Sequence, residues 1–154
     1  MAEPRPNLSL CGTDIKLAES HKFLGVVFDQ ELWWNTQAEQ VVSKATKLTL
    51  ASWHLARPAA SISPWQMHQL YQAVAVPSFT YMADVWFMLI CKELDAGKSS
   101  RSVGVARKLS TVQRMAMMAI MGALCTSASD VMEAHANLLP IELLLHRVCH
   151  RATL

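Results

Sequence analysis

The chain is poor in charge and in glycine, and it lacks the local signatures of a self-contained enzyme. Charged residues fill 17% of its 154 positions, and glycine occurs five times. There is no Gly-rich phosphate loop, no GxSxG elbow and no HExxH helix. Those absences remove the usual nucleotide-cradling, serine-hydrolase and zinc-protease patterns. Asp14, Asp29, Asp84, Asp95 and Asp130 are scattered and never paired. No segment therefore supplies the clustered carboxylates that two-metal nucleotidyl transfer requires. Cys11, Cys91, Cys125 and Cys149 form no CxxC pair, and the first ten residues, MAEPRPNLSL, lack a basic-then-apolar leader. Beside nine methionines, these cysteines read as reduced intracellular thiols rather than a disulfide framework. The longest apolar stretch, 73–91, carries Pro77 and Asp84. An unpaired Asp in mid-bilayer is costly, so no membrane span is expected.

What is abundant is apolar surface. Hydrophobic residues make up 52% of the chain, above the usual share for a soluble domain. The length suits one domain with one modest core. Two readings follow: a greasy small domain, or a domain that lays part of its apolar surface on a larger body. The net charge of +2, from 14 basic and 12 acidic residues, does not by itself argue for a nucleic-acid partner.

Residues 1–7, with two prolines, read as a disordered lead-in. From 8 to 30 the pattern is β-like and predicts one hairpin. Leu8-Ser9-Leu10 alternates, Cys11 to Asp14 supply turn residues, and Phe23 to Phe28 read as a nearly continuous buried strand. Gly25 inside that strand predicts a bulge or a close backbone approach. From 31 to 154 the chain reads as helices. Thr36 with Glu39 forms a capping-box pattern for a helix running to Leu55. Its apolar positions include Val41, Val42, Ala45 and Leu48. After a linker over 58–63, Ser63-Pro64-Trp65-Gln66 predicts a second helix start, and Met67, Leu70, Tyr71 and Val74 its buried stripe. Pro77 should kink or break that helix. Residues 92–105 read as a flexible loop, and 106–124 as a third long helix, apolar nearly all round from Met115. A short helix from Ser127 or Ser129, capped by Asn137, and a last one opened by Pro140 complete the pattern. The expected fold is mainly α: a short N-terminal β-hairpin followed by a bundle of about four to six helices.

Candidate sites are few. His146, Cys149 and His150 share a helical face, and His-x-x-x-His can bind zinc. No fourth partner is evident, and the plainer reading is a basic face with Arg147 and Arg151. Trp33-Trp34 could stack on bases, but a hydrophobic plug before the first helix is the favoured reading. Asp29 reads as a turn or cap residue. Lys44, Lys47, His54 and Arg57 form one stripe, and Arg101, Arg107, Lys108 and Arg114 a second group. Such stripes suit phosphate contacts, and they equally suit a solvated helix face.

The order of motifs carries a resemblance. Lys22-Phe23-Leu24-Gly25-Val26-Val27-Phe28-Asp29 resembles the K-F/Y-L-G-V-x-x-D segment of LINE-type (non-LTR) retrotransposon reverse transcriptases. Ile62-Ser63-Pro64, then Leu70-Tyr71-Gln72-Ala73-Val74 with Pro77, resemble a thumb segment of that family. So do Tyr81-x-Ala83-Asp84-Val85-Trp86, Val112-Gln113-Arg114, Gly122-Ala123 with Thr126, and Leu138-Leu139-Pro140-Ile141-Glu142-Leu143. The likeness covers roughly 8–154; each motif alone is weak, and the shared order makes the match specific.

The resemblance implies a primer-grip strand containing Phe23, Leu24 and Gly25, followed by a thumb-like helical region. It implies phosphate contacts at Lys44, Lys47, His54 and Arg114, with an RNA–DNA or DNA template–primer duplex as partner. It also implies a setting in the cytoplasm and nucleus. The family's RNA-directed DNA polymerase uses Mg2+ held by aspartates, among them a Tyr-x-Asp-Asp turn, that precede the primer grip. Only about twenty residues precede Phe23 here, without such a turn. The expectation is therefore a fragment that holds a duplex, needs no cofactor of its own, lacks the palm and fingers and is inactive as a polymerase. The alternatives are a helical protein-interaction module and a non-functional relic of a mobile element.

Overall fold

The computed structural model describes residues 8–15, 18–55, 62–87 and 100–153. The predicted lead-in over 1–7, the 58–61 part of the linker, the 92–99 part of the loop, and Arg57, Cys91 and Asp95 lie outside the described residues. The architecture is mainly helical, with two small antiparallel strand pairs ahead of the helices.

The β region is two hairpins rather than one. Strands β1 (Leu8–Leu10) and β2 (Thr13–Ile15) pair with each other, and β3 (Ser20–Phe23) pairs with β4 (Val26–Asp29). The continuous strand expected over 23–28 is broken at its centre, where Leu24 and Gly25 form a two-residue turn. Both have positive φ, 48° and 88°, as a type I′ hairpin turn demands. Cys11 and Gly12 repeat the device between β1 and β2, with φ of 51° and 78°. The apolar run concealed the turn because Leu24, at the first central position, is not a usual turn residue. Val26 and Val27 of β4 are buried, whereas all of β3 is exposed.

Helix α1 (Asn35–Leu55) begins at Asn35, so Thr36 lies in its first turn instead of capping it. The chain enters it through Leu32 and Trp34, both at positive φ. Asp29 holds that entry, its carboxylate accepting from the backbone N–H groups of Trp33 at 3.0 Å and Trp34 at 3.1 Å. Trp34 packs edge-on against Phe28, with ring centroids 5.1 Å apart, and touches the core. It is the expected plug; Trp33 stays exposed. The buried face of α1 is Gln37, Val41, Ala45 and Thr49.

Ser63 opens α2 (Pro64–Leu70) with a reciprocal capping box. The Gln66 N–H donates to Ser63 Oγ at 3.3 Å, and the Ser63 N–H donates to Gln66 Oε1 at 2.9 Å. The helix then widens into a π turn over Tyr71–Ala75 and continues as α3 (Val76–Thr80). Pro77 therefore does not end the helix. Its ring would collide with the carbonyl four residues back in a regular α-helix, and one wide turn relieves that crowding. The Val76 N–H donates to the carbonyl of Tyr71, five residues back. The buried stripe becomes Met67, Tyr71, Ala75, Phe79 and Ala83, with Val74 turned outward.

After a left-handed Met82, α4 (Ala83–Trp86) and Phe87 complete the second helical layer. Helix α5 (Ser100–Met121) starts earlier than expected, so 100–105 are helical rather than loop. It ends at Gly122, with φ of 64°. Helix α6 (Ser129–His135) closes in a Schellman motif around left-handed Asn137. The Asn137 N–H donates to the Ala134 carbonyl, and the Leu138 N–H to that of Glu133. Helix α7 (Ile141–Ala152) buries Ile141, Leu145 and Cys149. The main core joins α1, α2, α3, α5 and α7 around Phe79, Leu109, Ile141 and Leu145, and Met117, Met132 and Ala136 form a smaller cluster under α6. Among the described residues no helix is long and apolar enough to cross a membrane.

Candidate nucleic-acid interface

Helix geometry brings two of the predicted basic residues to one site. Lys44 and Lys47 are one turn apart on the exposed side of α1, flanking its buried Gln37–Val41–Ala45–Thr49 stripe. The β3–β4 hairpin docks beside them. Val26 and Val27 are both buried, and the Val27 N–H donates to Gln37 Oε1 at 2.9 Å in a buried bond. β4 thus satisfies a donor on its free edge through a helix side chain. Between hairpin and helix lies an open cleft of about 560 Å³. Lys22 from β3 and Lys44 and Lys47 from α1 line it, with Gln40, Ser43 and Tyr81. Glu39 is the carboxylate on its wall.

The far wall is held by Tyr81, in the corner between α3 and α4. Its hydroxyl donates to the Leu24 carbonyl at 3.0 Å, across 57 positions of sequence. A Cβ on Gly25 would sit 3.4 Å from the Tyr81 ring, so the close backbone approach expected at Gly25 is present, at a turn instead of within a strand. The side chains of Phe23 and Leu24 project outward, 60% and 69% exposed.

The other predicted residues part company. His54 continues the Lys44–Lys47 stripe about 10 Å farther along α1; it is exposed and does not line the cleft. Arg114 is engaged elsewhere. One guanidinium nitrogen donates to Ser129 Oγ at 2.5 Å, and another donates to the carbonyls of Cys125 and Ser127, both at 2.7 Å. It fastens the loop between α5 and α6. Arg107 and Lys108 are exposed on α5, and the side chain of Arg101 lies outside the described residues. In sequence, Lys22 and Tyr81 stand only as members of two motifs, without a site role, and Gln37 has no site role either. Lys22 sits in a short alternating strand and could have been paired with the α1 stripe. The motif around Tyr81 does not reveal its partner, which is set by tertiary folding.

The His146–Cys149–His150 face does not open into a metal site. Cys149 is buried, and its thiol pKa is pushed up by burial, then by the Asp84 carboxylate. His146 packs against Phe87, ring centroids 6.3 Å apart. Among the described residues no three His, Cys, Asp or Glu side chains gather as a metal would require.

Comparison with protein-family models, with curated proteins and with solved structures finds no match.

Proposed function

We propose that the chain is the primer-grip and thumb part of a LINE-type reverse transcriptase, which grips a template–primer duplex through its phosphate backbone. The observation that carries this reading is the convergence of Lys22, Lys44 and Lys47 on one open cleft beside the FLGVVFD hairpin. An ammonium on a flexible stem suits sequence-independent phosphate contact. The motif order supports the choice of partner, and the cytoplasm and nucleus are where such a duplex would be met. The role proposed for these residues is holding the duplex.

Salt-dependent binding of a labelled RNA–DNA duplex tests the reading. Three phosphate contacts give a slope of log affinity against log salt of about −2.7 for a B-form duplex, somewhat less for other forms. Lys44→Glu together with Lys47→Glu should remove most of that slope. Duplex affinity that ignores salt, or that survives the double substitution, would overturn it. A protein-interaction module is the competing reading. It draws on exposed apolar side chains such as Leu124, Trp65 and Leu143, and it expects the charge reversal to leave all binding intact.

A further inference from the structure

We infer that Tyr81 is a positioning residue whose hydroxyl holds the Leu24–Gly25 turn in place and so sets Lys22 across the cleft from Lys44 and Lys47. This rests on the duplex-holding role proposed above and adds a residue to it.

Lys22 stands on β3, two positions before Leu24, in register with Val27. β4 is tied directly to α1 by the buried Val27–Gln37 bond, and its two valines are buried. β3 is exposed along its length, and among the described residues it pairs with β4 alone. The position of Lys22 therefore depends on the ladder to β4 and on how the turn joining the two strands is held. Leu24 is a non-glycine residue at φ 48°, a conformation that persists where surroundings enforce it. The Tyr81 hydroxyl bond to its carbonyl is such an enforcement. Tyr81 can serve as an anchor because its own backbone is fastened. The indole N–H of Trp86, buried in the core, donates to the Tyr81 carbonyl at 3.0 Å. A line of contacts thus runs from the core through Trp86 and Tyr81 to the turn, and the turn carries Lys22. Tyr81 is itself half exposed, so its phenol is dispensable to the core.

The test is a double-mutant cycle on the full chain, read by duplex affinity, with hydrogen exchange as a binding-independent measure. Tyr81→Phe keeps the ring and removes the hydroxyl. It should weaken duplex binding about threefold, the range of one hydrogen bond, with melting temperature nearly unchanged. Lys22→Ala should cost about as much, and the two together little more than either alone. Lys44→Ala should add fully to Tyr81→Phe. Equal additivity with Lys22→Ala and Lys44→Ala, or no loss with Tyr81→Phe, would overturn the inference. If the wild-type chain shows no salt-dependent duplex affinity, the proposed function fails and exchange decides the latch alone. Backbone amides at 23–26 should then exchange several-fold faster in Tyr81→Phe, with helix protection unchanged; unchanged exchange at the turn would overturn it.

Discussion

Gln113 offers the sharpest check on how the helices are joined. Its side chain is 1% exposed and meets three partners. Oε1 accepts from the Tyr71 hydroxyl at 3.3 Å, and Nε2 donates to Glu133 Oε1 at 3.1 Å and to the Leu139 carbonyl at 3.0 Å. One residue of α5 thereby ties the π turn, α6 and the lead into α7. Gln113→Leu keeps the volume roughly constant but leaves the buried Tyr71 hydroxyl without an acceptor and the Leu139 carbonyl without this donor. The orphaned buried hydroxyl costs about 1–3 kcal/mol, and the part-buried carbonyl less, since water can reach its exposed residue. Glu133, partly exposed, can turn toward water. The expected loss is about 2–4 kcal/mol, which for a chain of this length lowers the melting temperature by roughly 5–15 °C. Adding Tyr71→Phe removes the stranded hydroxyl. The double variant should therefore be less destabilised than the sum of the singles, by about 1 kcal/mol or more. Thermal and urea unfolding followed by circular dichroism measure all three variants. Strict additivity would refute the claim that the Tyr71–Gln113 bond operates as a unit.

Two further outcomes follow from contacts described above. Arg114→Ala should cost about 1–2 kcal/mol, because the Cys125 and Ser127 carbonyls lose a charged donor, while duplex affinity and its salt slope change less than twofold; a tenfold loss of affinity would restore Arg114 to the phosphate interface. Raising the pH should destabilise the fold from about pH 9 upward. Burial lifts the Cys149 thiol above its ordinary 9.0 and the Tyr71 phenol above its ordinary 10.0, with Asp84 and Glu133 adding in turn. Above each ordinary value the unfolded chain loses a proton that the folded chain keeps, so stability falls as pH rises. Melting temperatures from about pH 8 to about pH 11 check this, and Cys149→Ala should remove the earliest part of the decline.

The elements that were legible in sequence are those whose cause is local. The Ser63–Gln66 box caps α2 through contacts three residues apart, and Asn137 ends α6 through bonds within its own turn. Asp29, placed between a strand and a tryptophan pair, holds the turn it was read to hold. Features set by tertiary packing did not show. The Leu24–Gly25 turn sits inside an apolar run because Tyr81, 57 positions away, helps to hold it. Thr36 has the composition of a cap, yet α1 starts one residue earlier, since Asp29 already fixes the entry. The Lys44–Lys47 pair was readable from helical spacing; its third member, Lys22, required the docking of the hairpin. For Arg114 the sequence shows a charge but not the carbonyls that fold back onto it.

The π turn over Tyr71–Ala75 acts as a gear between two parts of the molecule that never meet through it. A stripe at every fourth position of an α-helix drifts by about 40° per step, so Met67, Tyr71, Ala75 and Phe79 would spread over about 120° on a uniform helix. The wide turn takes back part of that drift. Shortening it by one residue would rotate everything after it by about 100°. Phe79 would leave the core and Tyr81 would swing away from the hairpin. The spacing of the lysines across the cleft is thus timed by a helical segment none of whose residues lines it.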